Sequence, residues 1–217
     1  MPDSMMTTAA SLRHSPFDPL HLAVRTQDGL QGAGIGLIPR DFRGLVTLRV
    51  DLDREPTARQ AVTDATGLDL PTAPNTAASQ DRLSVLWLGP DEWLFVVDDP
   101  APDAGADLQT KLTGLLEGVF AQVVDVSGAQ AAIGVTGPDA REVLERAVPL
   151  DMHPRSFQPG QVKHTLFGRH TGVSLHLKDD QPTLDLYCRR SFTGYVWRYL
   201  EDCAKGAETT LAVLADR

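Results

Sequence analysis

Cysteine is scarce in this sequence of 217 residues, which contains only Cys188 and Cys203. They lie fifteen residues apart and form no Cys-x-x-Cys pattern, so the chain lacks the signature of a disulfide framework or a cysteine metal site. Two thiols in a chain of this size are typical of a reducing compartment. We therefore expect a cytoplasmic protein.

Positive charge is also limited. The sequence contains sixteen Arg and four Lys but 29 Asp and Glu, which gives a formal net charge of −9 at pH 7. An acidic chain without a basic cluster repels phosphate backbones, so nucleic-acid binding is not expected. Such a surface favours solubility and is compatible with basic or neutral protein partners.

Long apolar runs are missing as well. No stretch approaches the 18 residues of a membrane span, and the first twenty residues lack the apolar centre of a signal peptide. We therefore expect neither membrane insertion nor export. The 42% of hydrophobic residues still supplies a core for one large domain or two small, closely packed ones.

Hydrophobic periodicity predicts an alternation of short strands and helices. The strands are expected at 44–53, 82–89, 92–98, 121–128, 131–137, 161–167, 172–178 and 183–188. The helices are expected at 56–67, 107–120, 137–147 and after Ser191. Because strands follow one another in pairs, the pattern predicts an α+β fold with mixed, largely antiparallel sheets and packed helices.

The expected organisation is a lead-in segment over 1–39 followed by one α+β domain over 40–217. A polar linker suggests a division into two closely packed subdomains near 99–106. The tripeptide Gly-Pro-Asp occurs at 89–91 and again at 137–139, each time after an apolar strand. This short match is a weak indication of an internal duplication.

The stretch "LWLGPDEWLF" (86–95) raises the question of whether Asp91 and Glu92 form a catalytic carboxylate pair. Proline at the second position of a tight turn, followed by Asp, is typical of a type I turn. We therefore predict a hairpin whose tip holds Asp91 in water. Trp87 and Trp93 on its two strands are interpreted as core or interface residues.

The last helix, "FTGYVWRYLEDCAK", provides a third aromatic candidate. Its predicted apolar stripe comprises Phe192, Tyr195, Val196, Tyr199, Leu200 and Cys203. Trp197 falls off that stripe on a helical wheel, so we expect it on the solvent side. Trp87, Trp93 and Trp197 are accordingly the candidates for contacts with a partner protein.

Three evenly spaced histidines, His164, His170 and His176, are the first candidates for a metal site. Gly168 and Gly172 divide them between two strands, and neither Cys nor a carboxylate pair accompanies them, so solvated or edge-strand histidines are the preferred interpretation. Asp151 and His153 form no more than a structural turn in a proline-containing loop.

Two further motifs were tested for chemistry. Ser127, in "DVSG", lacks the G-x-S-x-G setting of an exposed nucleophile. The glycine-rich "GLQGAGIG" (29–36) does not match the dinucleotide pattern, and Pro39 prevents a clean helix start after it. We predict no catalytic, cofactor-binding or metal-binding residue in this chain.

Three segments taken together resemble a known family. They are "LWLGPDEWLFV", "VVDVSGAQAAIGVTGPDAREVLERAVPLDMHPRSFQPGQVKHT" and "CRRSFTGYVWRYLEDCA". In this order they are similar to the gamma subunit of heterotetrameric sarcosine oxidase, over about residues 80–204. The hairpin, the turn from Leu150 to Pro154 and the opening of the last helix by Arg190-Ser191-Phe192 are the most specific parts.

The resemblance implies a fold similar to that of the folate-binding aminomethyltransferase of glycine cleavage. It implies an accessory, mainly structural subunit of an enzyme that oxidatively demethylates sarcosine to glycine, with hydrogen peroxide and either formaldehyde or methylene-tetrahydrofolate as products. The implied partners are the alpha, beta and delta subunits. FAD, FMN, NAD and tetrahydrofolate are implied in those partners, with no cofactor bound by this chain.

Two other kinds of protein are kept as alternatives. One is a free-standing folate-binding protein of the aminomethyltransferase or iron–sulfur-repair type. The region "FQPGQVKHT" (157–165) lacks the cysteine motif of the repair proteins, which argues against that type. The other is a non-enzymatic scaffold module, which only the identity of its partners would distinguish.

Overall fold

The computed structural model describes residues 14–216 except residues 100 and 102. Within them the chain forms twelve strands and four α-helices. The strands are β1 (Thr26–Gln27), β2 (Ile35–Arg40), β3 (Gly44–Val50), β4 (Ala77–Gln80), β5 (Leu83–Gly89), β6 (Glu92–Val97), β7 (Ala121–Asp125), β8 (Gln130–Thr136), β9 (Val162–Phe167), β10 (Thr171–Leu177), β11 (Leu184–Arg189) and β12 (Leu211–Leu214). The helices are α1 (Thr57–Thr66), α2 (Ala104–Leu115), α3 (Ala140–Ala147) and α4 (Thr193–Gly206).

The strands form two sheets. The larger sheet has the order β1-β12-β2-β8-β11-β10-β9, and the smaller has the order β4-β5-β6-β3-β7. Pairing in the smaller sheet is antiparallel, whereas in the larger sheet β12 runs parallel to both β1 and β2. These mixed, largely antiparallel sheets with packed helices confirm the expected α+β class.

The two sheets pack face to face, and each carries two helices on its outer face. Along β6, Trp93 and Phe95 enter a core with α1 and α2, whereas Leu94 and Val96 enter a core between the sheets. The larger sheet faces α3 and α4 in the same way. Because successive side chains of a strand point to opposite faces, a strand in such an inner layer is apolar at nearly every position.

The helix boundaries follow local chemistry. Helix α1 ends before Gly67, which has φ +73°, a left-handed conformation that favours glycine. The apolar stripe predicted for α3 is confirmed by the buried side chains of Ala140, Val143, Leu144 and Ala147. On the exposed face of α3, Arg146 Nη2 lies 3.2 Å from Glu142 Oε1.

The two sheets are built from two halves with the same order of elements. Each half runs strand, helix, three strands, helix, strand, from β3 to β7 and then from β8 to β12. In each half the last strand of the triplet pairs with the first strand, β6 with β3 and β11 with β8. The Gly-Pro-Asp motif does not mark this repeat, because 89–91 is the β5–β6 turn and 137–139 joins β8 to α3.

The expected domain boundaries need two corrections. The described part of the lead-in belongs to the domain, because β2 lies inside the larger sheet between β12 and β8. The glycines that hid this strand allow close packing: a Cβ on Gly36 would lie 2.5 Å from Leu214 Cδ1. The division between the halves falls at 126–129, between β7 and β8, and not near 99–106, which spans the β6–α2 connection and the start of α2.

Candidate functional site

The turn between β5 and β6 places both of its carboxylates beside one arginine. Asp91 Oδ2 lies 3.0 Å from Arg49 Nη2, and Glu92 Oε2 lies 3.9 Å from Arg49 Nε. The two acidic side chains are 48% and 37% exposed, so this is a surface ion pair in a high dielectric. The predicted hairpin is confirmed, and its tip is a solvated, ion-paired turn.

The hairpin tryptophans face each other across the pair of strands. Trp93 is fully buried, and its Nε1 donates a hydrogen bond to Pro71 O at 2.8 Å. It therefore offers no surface to a partner, and its expected place at an interface is wrong. Trp87 is half-buried against the same core, so an interface role for its exposed part stays a prediction.

Trp197 is also placed differently from the sequence expectation. Its side chain is 0% exposed, and its Nε1 donates to Glu201 Oε1 at 3.1 Å. The residues around 14–24, which periodicity could not place, fold across α4 and put Phe17 edge-on against the indole at a centroid distance of 5.6 Å. The buried stripe of α4 is Thr193, Val196, Trp197, Leu200 and Ala204. An exposed Trp197 is therefore wrong.

A row of alternating charges crosses one end of the inter-sheet layer. Arg43 Nε lies 2.6 Å from Asp98 Oδ1, and its Nη2 lies 2.7 Å from Asp216 Oδ2. Asp216 in turn contacts Arg40 Nη1 at 2.6 Å. The side chains of the two arginines are only 8% and 12% exposed, so their pairing with carboxylates compensates for lost hydration.

The row of alternating charges continues into the larger sheet through Asp185. Its carboxylate lies 3.4 Å from Arg40 Nε and 2.5 Å from Lys178 Nζ, and it accepts a hydrogen bond from Tyr187 Oη at 3.4 Å. Burial, together with the negative charge of Asp185, raises the pKa of Tyr187 well above its usual value, so the phenol stays protonated. Each of the three cations in this row of charges, Arg40, Arg43 and Lys178, is bound to at least one carboxylate.

A cavity of about 320 Å³ adjoins this row of charges and is lined by residues from both halves of the protein. His176 lines it from β10 and is 3% exposed, and its Nδ1 has no hydrogen-bond partner among the described residues. Burial lowers the pKa of His176 to about 4, against the opposing attraction of Asp185, so the imidazole is neutral at pH 7.

Sequence reasoning missed this charged layer. A signal was present in "LDLY" (184–187), where a carboxylate interrupts a strand that is otherwise apolar on both faces. A buried carboxylate requires partners. Its partner Arg40 lies 145 residues away along the sequence, so the pairing itself cannot be read from local pattern.

The three histidines do not meet. His164 lies exposed on the edge strand β9, as predicted, and its Nδ1 is 2.8 Å from Ser174 Oγ. The exposed His170 stacks edge-on against Tyr195, and His176 is buried, contrary to the solvated position expected. Within the part of the chain that the structure describes, no group of three or more His, Cys, Asp or Glu is placed to hold a metal ion.

The turn at Asp151 is structural, as predicted. Its carboxylate accepts a hydrogen bond from Ser156 Oγ at 2.5 Å and one from the backbone N–H of His153 at 2.9 Å. These bonds, that from Ser156 first, lower the pKa of Asp151. Ser127 also has a structural contact, because its Oγ accepts a hydrogen bond from the backbone N–H of Leu45 at 2.9 Å.

Comparison with solved structures defines the class of fold. The aminomethyltransferase T of the glycine cleavage system from Bartonella henselae matches with a TM-score of 0.63 at 15% identity, over 94% of this chain and 60% of that one. A chain of the heterotetrameric sarcosine oxidase from Corynebacterium sp. U-96, in complex with pyrrole 2-carboxylate, matches with a TM-score of 0.77 at 28% identity. This match covers 90% of the present chain and 96% of the other. The chain is therefore an α+β protein with the aminomethyltransferase-like fold.

Sequence comparison narrows the class to a family. The profile of the sarcosine oxidase, gamma subunit family matches residues 50–206. Sarcosine oxidase subunit gamma from an Arthrobacter species is 32% identical over 157 residues, 72% of this chain and 73% of that protein. The subunit from Corynebacterium sp. strain P-1 is 33% identical over 158 residues, with the same coverage. The chain belongs to the sarcosine oxidase gamma subunit family, which confirms the resemblance drawn from the sequence.

Across the stretches that the structure covers, none of the helices has the length and apolar character needed to cross a bilayer.

Proposed function

We propose that this chain is the gamma subunit of a heterotetrameric sarcosine oxidase and that its contribution is mainly structural. The observation that carries the proposal is the match to 96% of a chain from such an assembly. The packing is compatible with a structural role, because the ionic side chains of the inter-sheet layer are paired with one another.

In this proposal the assembled enzyme oxidises the N-methyl group of sarcosine with molecular oxygen, and water supplies the oxygen atom when formaldehyde is the product. The products are glycine, hydrogen peroxide and either formaldehyde or, with tetrahydrofolate, methylene-tetrahydrofolate. FAD, FMN, NAD and tetrahydrofolate bind the alpha and beta partners, and the assembly works in the cytoplasm. The acidic surface of this chain, with its net charge of −9, suits contacts with basic regions of those partners.

Affinity purification of the tagged chain from its native host tests the proposal. We expect three further polypeptides to co-elute, with the visible absorbance of bound flavin and with hydrogen peroxide release on addition of sarcosine. The same tag without the chain is the matched control. A colourless eluate that contains the chain alone would contradict the oxidase assignment and favour a free-standing protein.

A further inference from the structure

Strand β7 is the outermost strand on one side of the smaller sheet, and at its start the N–H of Ala121 already donates to Val119 O at 2.8 Å. Strand β7 pairs with β3 on one side, and the backbone N–H of Val126, just beyond β7, donates to Leu45 O at 2.7 Å. Since backbone groups alternate in direction along an antiparallel pair, those of residues 121, 123 and 125 point away from β3. Val123 O confirms this direction, because it accepts a hydrogen bond from the Gln109 side chain at 3.2 Å.

Two of the other sheet edges in the described chain, β4 and β9, are joined to each other at their first residues, and the third is short. The entrances of β4 and β9 are tied together, because Val162 N–H donates to Asn75 O and Ala77 N–H donates to Gly160 O, both at 2.8 Å. The remaining edge, β1, is only two residues long. Strand β7 has five residues and no strand on its outer side within the described residues.

The internal repeat shows what can lie beyond such an edge. In the second half, β8 corresponds to β3, and the sheet continues past β8 through β2, β12 and β1. Strands β2 and β1 come from the N-terminal segment, outside the half that they complete. In the first half the sheet stops at β7, directly beside β3. The equivalent side of the fold therefore accepts added strands in one half and is left without them in the other.

Exposed apolar side chains lie around β7 and form a surface suited to a protein contact. Phe120 is 88% exposed, Leu115 46% and Val124 36%, and all three lie at or beside this edge strand. Strand β7 contains neither the lysine nor the proline that commonly blocks edge pairing. Residues 112–126 contain two acidic residues, Glu117 and Asp125, and no Lys or Arg. In the pocket beside Phe120 three carboxylates, Asp51, Glu55 and Asp91, outnumber Arg49 and Arg54, so the edge favours a basic partner.

From these observations we propose that β7 binds an extended strand of another oxidase subunit, which adds to the smaller sheet by main-chain hydrogen bonds. The added strand has apolar side chains that cover Phe120 and Val124, and it is flanked by Lys or Arg. The inference rests on the proposed function, since it requires that the chain assembles with other subunits.

Two variants test the strand addition in co-purification of the whole chain with the other subunits. Val123→Pro removes an outward N–H that β3 does not use, and Val124→Lys places a charge on the edge without changing the backbone. We expect each variant to weaken assembly by about tenfold, which corresponds to the loss of one or two such contacts. Leu166→Lys is the matched control, because Leu166 is a 57% exposed apolar residue on β9, and it should assemble like the wild type.

The outcomes separate the inference from the function on which it rests. Circular dichroism and the melting temperature of each free chain report folding, and Val124→Lys decides the test if Val123→Pro unfolds. Equal assembly of wild type and Val124→Lys would overturn strand addition and leave the accessory function standing. A wild-type chain that recruits no subunit would instead overturn the function. Self-association of the free chain that Val124→Lys abolishes would identify a second copy as the occupant and contradict the proposal.

Discussion

The two halves of this protein share one order of elements but differ in charge and in how their sheets end. Residues 44–126 contain five basic residues (Lys and Arg) and fourteen acidic ones (Asp and Glu). Residues 127–206 contain ten basic and nine acidic residues. The sheet of the second half is extended by strands from the N-terminal segment, and that of the first half stops at β7. One topology thus yields a half that the N-terminal segment completes and an acidic half whose sheet ends at β7.

The N-terminal segment accounts for much of this difference. It supplies β2 to the larger sheet, and it places Phe17 against Trp197 of α4. Because the N-terminal segment covers the outer side of α4, the indole of Trp197 is buried even though the helical wheel places it on the solvent side. Helix α2 occupies the corresponding position in the first half, and its last residue, Leu115, stays 46% exposed.

The largest effects are expected at the two fully buried tryptophans, one in each half. Trp93→Ala and Trp197→Ala should each lower the free energy of unfolding by about 3–5 kcal/mol, because each leaves a large cavity. Urea denaturation of the free chain measures the change. Trp87→Ala, at the half-buried partner of Trp93, should show a smaller loss. A Trp197→Ala chain of unchanged stability would contradict the covering of α4 by the N-terminal segment.

The next effect concerns the row of charges that joins the halves. Asp185→Ala should destabilise the protein by about 3 kcal/mol, because it leaves Lys178 without a carboxylate and the buried Arg40 with Asp216 alone. Asp202→Ala, which removes an ion pair that is 74% exposed on the Asp202 side, should change the stability by less than about 0.5 kcal/mol. Equal effects of the two substitutions in denaturant titrations would mean that the inter-sheet layer is not held by these charges.

The acid sensitivity of the same layer follows from His176. Its pKa is lowered to about 4 in the folded chain. In the unfolded chain the histidine has its ordinary pKa of about 6.5. Between about pH 6.5 and pH 4 the unfolded chain therefore binds a proton that the folded chain does not bind. The free energy of unfolding should then fall by about 3 kcal/mol as the pH decreases from about 6.5 to about 4.

Substitution isolates this contribution. His176→Gln should flatten the pH dependence of stability over that interval. Thermal unfolding at several pH values provides the comparison. A wild-type curve that is flat from pH 6.5 to pH 4 would contradict a buried, neutral His176.

The smallest effect is expected at the hairpin tip of the acidic half. Arg49→Ala removes the partner of Asp91 and Glu92 and should change the stability by less than about 1 kcal/mol, because this pair lies in solvent. It should also leave the activity of the assembled oxidase unchanged, within about twofold. A tenfold loss of activity with normal assembly would restore a chemical role for these carboxylates.

Sequence patterns predicted those elements whose signals are local. The hairpin at 86–95 was predicted from a proline turn between two apolar runs, and α3 from a four-residue apolar stripe. Helix α2 was displaced, because it runs over Ala104–Leu115 and not over 107–120. Gly118, with φ +83°, ends the helical run before the predicted stop.

The remaining features depend on contacts between distant parts of the chain. Strand β2 contains Gly36 and Pro39, which argue against a strand until a neighbour that packs on the glycine is known. The row of charges joins Arg40 and Asp216 across 176 positions. The burial of Trp197 requires Phe17, also far away along the chain. Local periodicity carries no information on any of these pairings.

Amide hydrogen exchange in the free chain and in the assembled oxidase is the most direct test of the difference between the two sheet edges. The account predicts that the amides of Val123 and Asp125 exchange at least about tenfold more slowly in the assembly, while those of β12 in the completed sheet keep the same rate. Equal exchange at β7 in the two states would contradict the central claim that the edge strand β7 of the acidic half binds a partner strand.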